Sequence, residues 1–75
     1  MAVVVRLIGV AEAVVWRDEV SDGETLRFFY ELRESGALLV HVRSRAVDED
    51  GHVRERQRVE VVYGPAAWAE VRGDH

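Results

Sequence analysis

The sequence predicts a mainly β domain of the α+β class: an antiparallel meander of four or five strands with one C-terminal helix packed on one face. Three observations carry this expectation. Leu38–Val47 and His52–Tyr63 are long runs rich in β-branched residues, joined by the acidic turn Asp48-Glu49-Asp50-Gly51. Thr25–Arg33 sets Leu26, Phe28, Tyr30 and Leu32 in alternation with Arg27, Phe29, Glu31 and Arg33, the periodicity of a strand. The only proline, Pro65, follows Gly64 and precedes Ala67, Trp68 and Val71, which share one side of a short helix. With 75 residues the chain makes a single small domain, 1–75, whose core lies near the lower limit of independent stability.

The elements follow in order. Val3–Val10 is apolar and β-branched, a largely buried first strand in which Gly9 marks a bulge or bend. Glu12–Asp18 carries Val14, Val15 and Trp16 and reads as a second strand. Val20–Glu24 contains Ser21-Asp22-Gly23, a loop signal. Thr25–Arg33 has a helical alternative, because Ser21-x-x-Glu24 resembles a capping box and Gly36 fits a helix C-cap. A helix would scatter its arginines around the circumference, so a strand is expected. Leu38–Val47 and His52–Tyr63 complete the sheet. The helix starts at Pro65 and runs to about Arg72, leaving Gly73-Asp74-His75 as a frayed tail.

Two turns fix a predicted register. Glu34-Ser35-Gly36 fits a three-residue hairpin loop, which pairs Arg33 with Ala37, Phe29 with His41 and Arg27 with Arg43. Asp50-Gly51 fits a two-residue loop, which pairs Glu49 with His52, Arg45 with Arg56, Arg43 with Arg58 and His41 with Glu60. One face then carries Leu26, Phe28, Tyr30, Leu32, Leu38, Val40, Val42, Val59, Val61 and Tyr63 as the core. The other carries Arg27, Phe29, Glu31, His41, Arg43, Arg45, Arg54, Arg56, Arg58 and Glu60. Facing like charges destabilise a sheet, so this cationic face needs an explanation. Two are open. Glu12, Asp18, Asp48 or Glu49 fold over and neutralise it, or it receives something anionic.

Composition narrows the partner. The formal net charge is −4, which argues against a generic nucleic-acid coat. All ten cations are arginine, and lysine and asparagine are absent, a bias that GC-rich coding explains as well as guanidinium chemistry does. There is no cysteine, hence no disulfide and no zinc–thiolate site. No apolar run is long enough to span a bilayer, and the N-terminal residues show no signal-peptide pattern. A cytoplasmic protein without membrane contact is expected.

Catalytic and metal chemistry have little to work with. His41 facing Glu60 has the form of an oriented general base, but an ordinary cross-strand polar pair fits better. Ser21, Ser35 and Ser44 sit in no nucleophile elbow. The three histidines lack metal-ligand spacing, and Asp48–Gly51 has no EF-hand pattern. No enzyme activity, cofactor or metal is expected. Trp68 is read as a core plug rather than a partner anchor. If the strand of Trp16 and Val14 lies at a sheet edge, these residues fit a dimer interface, and a homodimer is expected because it would enlarge a small core.

Val40-His41-Val42-Arg43, Asp48-Glu49-Asp50-Gly51 and Pro65-Ala66-Ala67-Trp68 together resemble the BldB-like family of small actinobacterial regulatory partner proteins. Those proteins end in a V-x-V-R strand, an acidic D-x-D-G turn, a further strand and a P-x-x-W helix start. The likeness covers the C-terminal half; the family's N-terminal tryptophan and serine-rich segment are missing here. It implies a non-enzymatic protein working beside a DNA-binding regulator. The strand order with a terminal helix and a cationic sheet face is also similar to that of the PC4-like and whirly single-stranded-DNA-binding proteins, which are basic where this chain is acidic. The expected function is therefore a small regulatory or accessory module that binds an acidic protein partner. Its binding face is Arg27, Phe29, His41, Arg43, Arg45, Arg54, Arg56 and Arg58. The alternative is single-stranded nucleic acid on the same face, with Phe29 and His41 stacking on bases.

Overall fold

The computed structural model describes residues 2–75. Its strands are β1 (Ala2–Leu7), β2 (Val14–Arg17), β3 (Glu19–Ser21), β4 (Glu24–Leu32), β5 (Leu38–Val47), β6 (Val53–Tyr63) and β7 (Trp68–Gly73). They form two antiparallel sheets, β2-β1-β7 and the meander β3-β4-β5-β6. The mainly β antiparallel expectation holds, but as two sheets of three and four strands rather than one meander of four or five, and Thr25–Leu32 is strand rather than helix. No helix of the described residues is long and apolar enough to cross a membrane.

The C-terminal helix is absent. Pro65, Ala66 and Ala67 make one turn, closed by the Ala67 N–H donating to the Gly64 carbonyl at 3.0 Å. The chain then becomes β7, which adds to β1. The helix-like spacing of Trp68 and Val71 has a different cause. Leu7 opposes Trp68 while Arg6 opposes Glu70, so Ala69 is an extra residue in the ladder. That bulge turns Trp68 and Val71 to the same side although they are three apart. A segment of this length gains little as a lone helix, and β1 offers it a partner strand with which to pair.

Val20 and its neighbours also differ from the loop expected there. β3 and β4 form a hairpin across Asp22-Gly23, with Ser21 opposite Glu24. Between β2 and β3 the chain passes from the small sheet to the large one at Asp18, whose Oδ1 accepts the Phe28 N–H at 3.0 Å.

Val3, Val5, Leu38 and Val40 are fully buried between the sheets, with Phe28, Tyr30, Val61, Tyr63, Trp16 and Trp68 packed around them. Trp68 is thus a core residue, as expected. Trp16 opposes Val3 and Val14 opposes Val5, so both turn inward. The residues read as a dimer interface therefore belong to the core side, while Val15 faces out.

The small sheet covers only one end of the large one. Leu38–Val42 of β5 are buried, whereas β6 is exposed from Val53 to Glu60. The β5–β6 hairpin therefore projects. The radius of gyration is 14.3 Å, against about 11 Å for a compact chain of this length.

Candidate binding surface

Two hairpin loops of the same construction hold the arginine-bearing strands. In the first, Arg33 N–H donates to the Ala37 carbonyl and Gly36 N–H to the Arg33 carbonyl, both at 2.9 Å. In the second, Asp48 N–H donates to the His52 carbonyl and Gly51 N–H to the Asp48 carbonyl, both at 3.0 Å. Gly36 and Gly51 have φ of +88° and +81°, the left-handed position that closes a three-residue loop. The second loop is thus Glu49-Asp50-Gly51 rather than Asp50-Gly51. Asp48 Oδ1 selects it by accepting from the amides of Asp50 at 2.9 Å and His52 at 2.8 Å.

This one-residue difference divides the arginines. Near the core, Leu38 opposes Tyr63 and Val40 opposes Val61, the register predicted from the sequence. Toward the tip, His41 opposes Val59, Arg43 opposes Gln57 and Arg45 opposes Glu55. Glu60 is the extra residue that reconciles the two registers, a bulge. A slip of one residue moves every side chain to the other face. Arg54, Arg56 and Arg58 therefore share the face of Ala46, Ser44 and Val42. Arg27, Phe29, His41, Arg43 and Arg45 occupy the opposite, outer face. The predicted pairs Arg45–Arg56, Arg43–Arg58 and His41–Glu60 do not form, and Val59 is on the outer face, 45% exposed, instead of in the core. The pairs Arg27–Arg43 and Phe29–His41 are as predicted.

On the outer face the Phe29 and His41 rings stack, 4.9 Å apart and 8° from parallel. The Arg43 guanidinium carbon lies 5.5 Å from the Phe29 centroid, a cation–π distance. His41 is buried, and its Nε2 is 2.9 Å from Glu31 Oε1. Glu31 Oε2 in turn lies 3.2 Å from Arg33 Nε. His41 thus has a carboxylate partner, but it is Glu31, on the neighbouring strand β4, rather than Glu60.

The charges are partly balanced, by residues other than those expected. Arg45 Nε is 3.8 Å from Glu55, and Arg58 Nη1 is 2.8 Å from Glu60. Arg43 Nη2 donates to Gln57 Oε1 at 3.2 Å. Among the described residues, Arg27, Arg43, Arg54 and Arg56 form no ion pair. Sequence reasoning missed Glu55 and Gln57 as neighbours of Arg45 and Arg43. Their signal was the parity of β6, readable only with the correct loop length. A shallow recess on the outer face is lined by Thr25, Arg27, Arg43, Arg45 and Glu55. A second recess on the other face runs over Leu26 and Val42 and is walled by Arg56 and Arg58.

Asp48, Asp50 and His52 bring carboxylate and imidazole atoms within 4.8 Å of one another at the exposed tip. Asp48 and His52 already serve the loop, since Asp48 Oδ1 takes two amides and Oδ2 lies 3.3 Å from His52 Nδ1. No family model matches this chain, and neither the curated proteins nor the solved structures compared with it give a match.

Proposed function

We propose that this chain is a non-enzymatic, cytoplasmic regulatory or accessory module that binds an acidic protein partner through the arginines of β4, β5 and β6. The observation that carries this reading is that four exposed arginines, Arg27, Arg43, Arg54 and Arg56, lie without a carboxylate partner among the described residues in a chain with fourteen acidic side chains. Arg27 faces Arg43 directly across the strand pair. Such a pair is a standing cost to the sheet that an anionic ligand would convert into a gain.

Protein is favoured over nucleic acid for two reasons. A single strand needs a continuous cationic track with free aromatic faces. Here the arginines are divided between two faces and interleaved with Glu31, Glu55 and Glu60, while Phe29 and His41 stack on each other and His41 is buried.

The test is a fluorescence anisotropy titration of labelled polyglutamate and of single- and double-stranded oligonucleotides, at low and moderate salt. Binding of polyglutamate that an Arg27→Ala/Arg43→Ala/Arg54→Ala/Arg56→Ala variant loses is expected. Tighter, steeply salt-dependent binding of the oligonucleotides would replace this reading with nucleic-acid recognition.

A further inference from the structure

β6 is an edge strand of the large sheet, and its outer edge is open. The direction of its backbone groups follows from one hydrogen bond. Asp48 N–H donates to the His52 carbonyl, so Asp48–His52 is a hydrogen-bonded pair. Alternation along an antiparallel ladder then makes hydrogen-bonded pairs of Ala46–Arg54, Ser44–Arg56 and Val42–Arg58. The N–H and C=O groups of Val53, Glu55, Gln57 and Val59 point the other way, into solvent. The opposite edge is treated differently. Where β4 extends beyond β3, the Phe28 amide is taken by Asp18 Oδ1 and the Tyr30 amide by the Asp74 carbonyl at 2.9 Å. Among the described residues, no such partner serves the outward amides of β6.

We propose, resting on the acidic-partner reading above, that β6 receives an extended acidic segment of the partner as an added antiparallel strand. Backbone pairing would be through Val53–Val59, with aspartate or glutamate opposite Arg54 and Arg56. Residues opposite these arginines would form the non-hydrogen-bonded pairs, which are the closer ones, with Cα atoms about 4.5 Å apart. An alternating acidic strand therefore places its carboxylates where the two unpaired guanidinium groups stand. Outward amide and carbonyl pairs complement a peptide backbone and have no counterpart in a phosphodiester chain. Glu60, ion-paired with Arg58 at 2.8 Å, ends the cationic stretch and repels a carboxylate placed beyond it.

A second copy of this chain is the natural competitor for an open edge, and the same residues disfavour it. A two-fold centred between Glu55 and Gln57 sets Arg56 against itself, and one centred on Gln57 sets Arg56 against Arg58. Both place like charges at the closer spacing, which destabilises the pair. In these registers the arginines disfavour self-pairing while leaving the edge open to a strand of opposite charge.

The experiment uses the full chain, a capped peptide alternating glutamate with threonine and long enough to span Val53–Val59, and the same peptide N-methylated at alternate residues. Amide hydrogen exchange and peptide anisotropy are read together. The peptide should slow exchange at Glu55, Gln57 and Val59. N-methylation of the pairing residues should weaken binding by at least about tenfold, and Arg54→Ala/Arg56→Ala should weaken it by a similar factor. Equal binding of both peptides, with changes confined to the Arg27–Arg43 face, overturns the added strand and leaves the acidic-partner reading standing. Failure of every acidic peptide, polyglutamate included, overturns both and leaves the arginines as guards of the edge. Concentration-dependent protection of the same amides without peptide also overturns the proposal, in favour of a second copy.

Discussion

The Trp68 indole Nε1–H donates to the Gly36 carbonyl at 3.0 Å, tying the start of β7 to the loop between β4 and β5. Beside this bond, a Cβ added to Gly36 would stand 2.9 Å from Pro65 Cβ. The Gly64–Trp68 turn and the Glu34–Gly36 loop are therefore one packed unit. Trp68→Phe should lower stability by about 1–2 kcal/mol through the lost hydrogen bond. Trp68→Ala should cost about 2–3 kcal/mol, less than a fully buried tryptophan, because Trp68 is only partly buried. Gly36→Ala should cost at least about 1 kcal/mol, since it adds the clash with Pro65 to an unfavourable left-handed backbone. Urea unfolding followed by far-ultraviolet circular dichroism measures all three.

Glu60 is predicted to be dispensable for the fold. Val61 opposes Val40 and Val59 opposes His41, so removing the residue between them leaves a regular ladder with both faces unchanged. Deletion of Glu60 should keep cooperative unfolding, shift stability by no more than about 1 kcal/mol, and free Arg58 of its carboxylate. Cross-strand nuclear Overhauser contacts between His41 and Val59 and between Arg43 and Gln57 should persist. Their replacement by a slipped set would show that the tip loop does not fix the register.

Arg27→Glu should stabilise the domain while weakening its binding. Arg27 faces Arg43 across β4 and β5, and exchanging a repulsive cross-strand pair for an attractive one is worth about 0.5–1 kcal/mol. A higher urea midpoint together with a lower affinity for polyglutamate is the expected pattern. A loss of stability would mean that Arg27 has a structural partner.

Burial raises the Tyr63 phenol above its ordinary value of 10.0. The neutral form is favoured in the folded state, so this contribution to stability is complete below the unfolded value and is lost as pH rises through the folded one. Stability should therefore decline in the alkaline range above about pH 10. Tyr63→Phe should flatten that decline, as followed by thermal unfolding across alkaline pH.

Much of this architecture is legible in the residues. The alternation of Leu26, Phe28, Tyr30 and Leu32 identifies β4, and Glu34-Ser35-Gly36 fixes its register with β5, including Arg27 opposite Arg43 and Phe29 opposite His41. Two features escape because bulges imitate other patterns. Ala69 gives β7 the spacing of a helix, and Glu60 lets two registers coexist in one hairpin. The Asp50-Gly51 pair favours a two-residue loop on local preference, but the Asp48 side chain, bonded to the Asp50 and His52 amides, stabilises the longer one. The arginines are thus legible individually, while their division between two faces depends on a single carboxylate at the turn.

The most direct measurement of the central claim is calorimetric titration of polyglutamate into the wild-type chain and into the Arg27→Ala/Arg43→Ala/Arg54→Ala/Arg56→Ala variant at moderate salt. Binding by unneutralised arginines predicts measurable affinity for the wild type and a loss of at least about tenfold in the variant, with both proteins equally folded. Equal affinities, or no binding by the wild type, would contradict it.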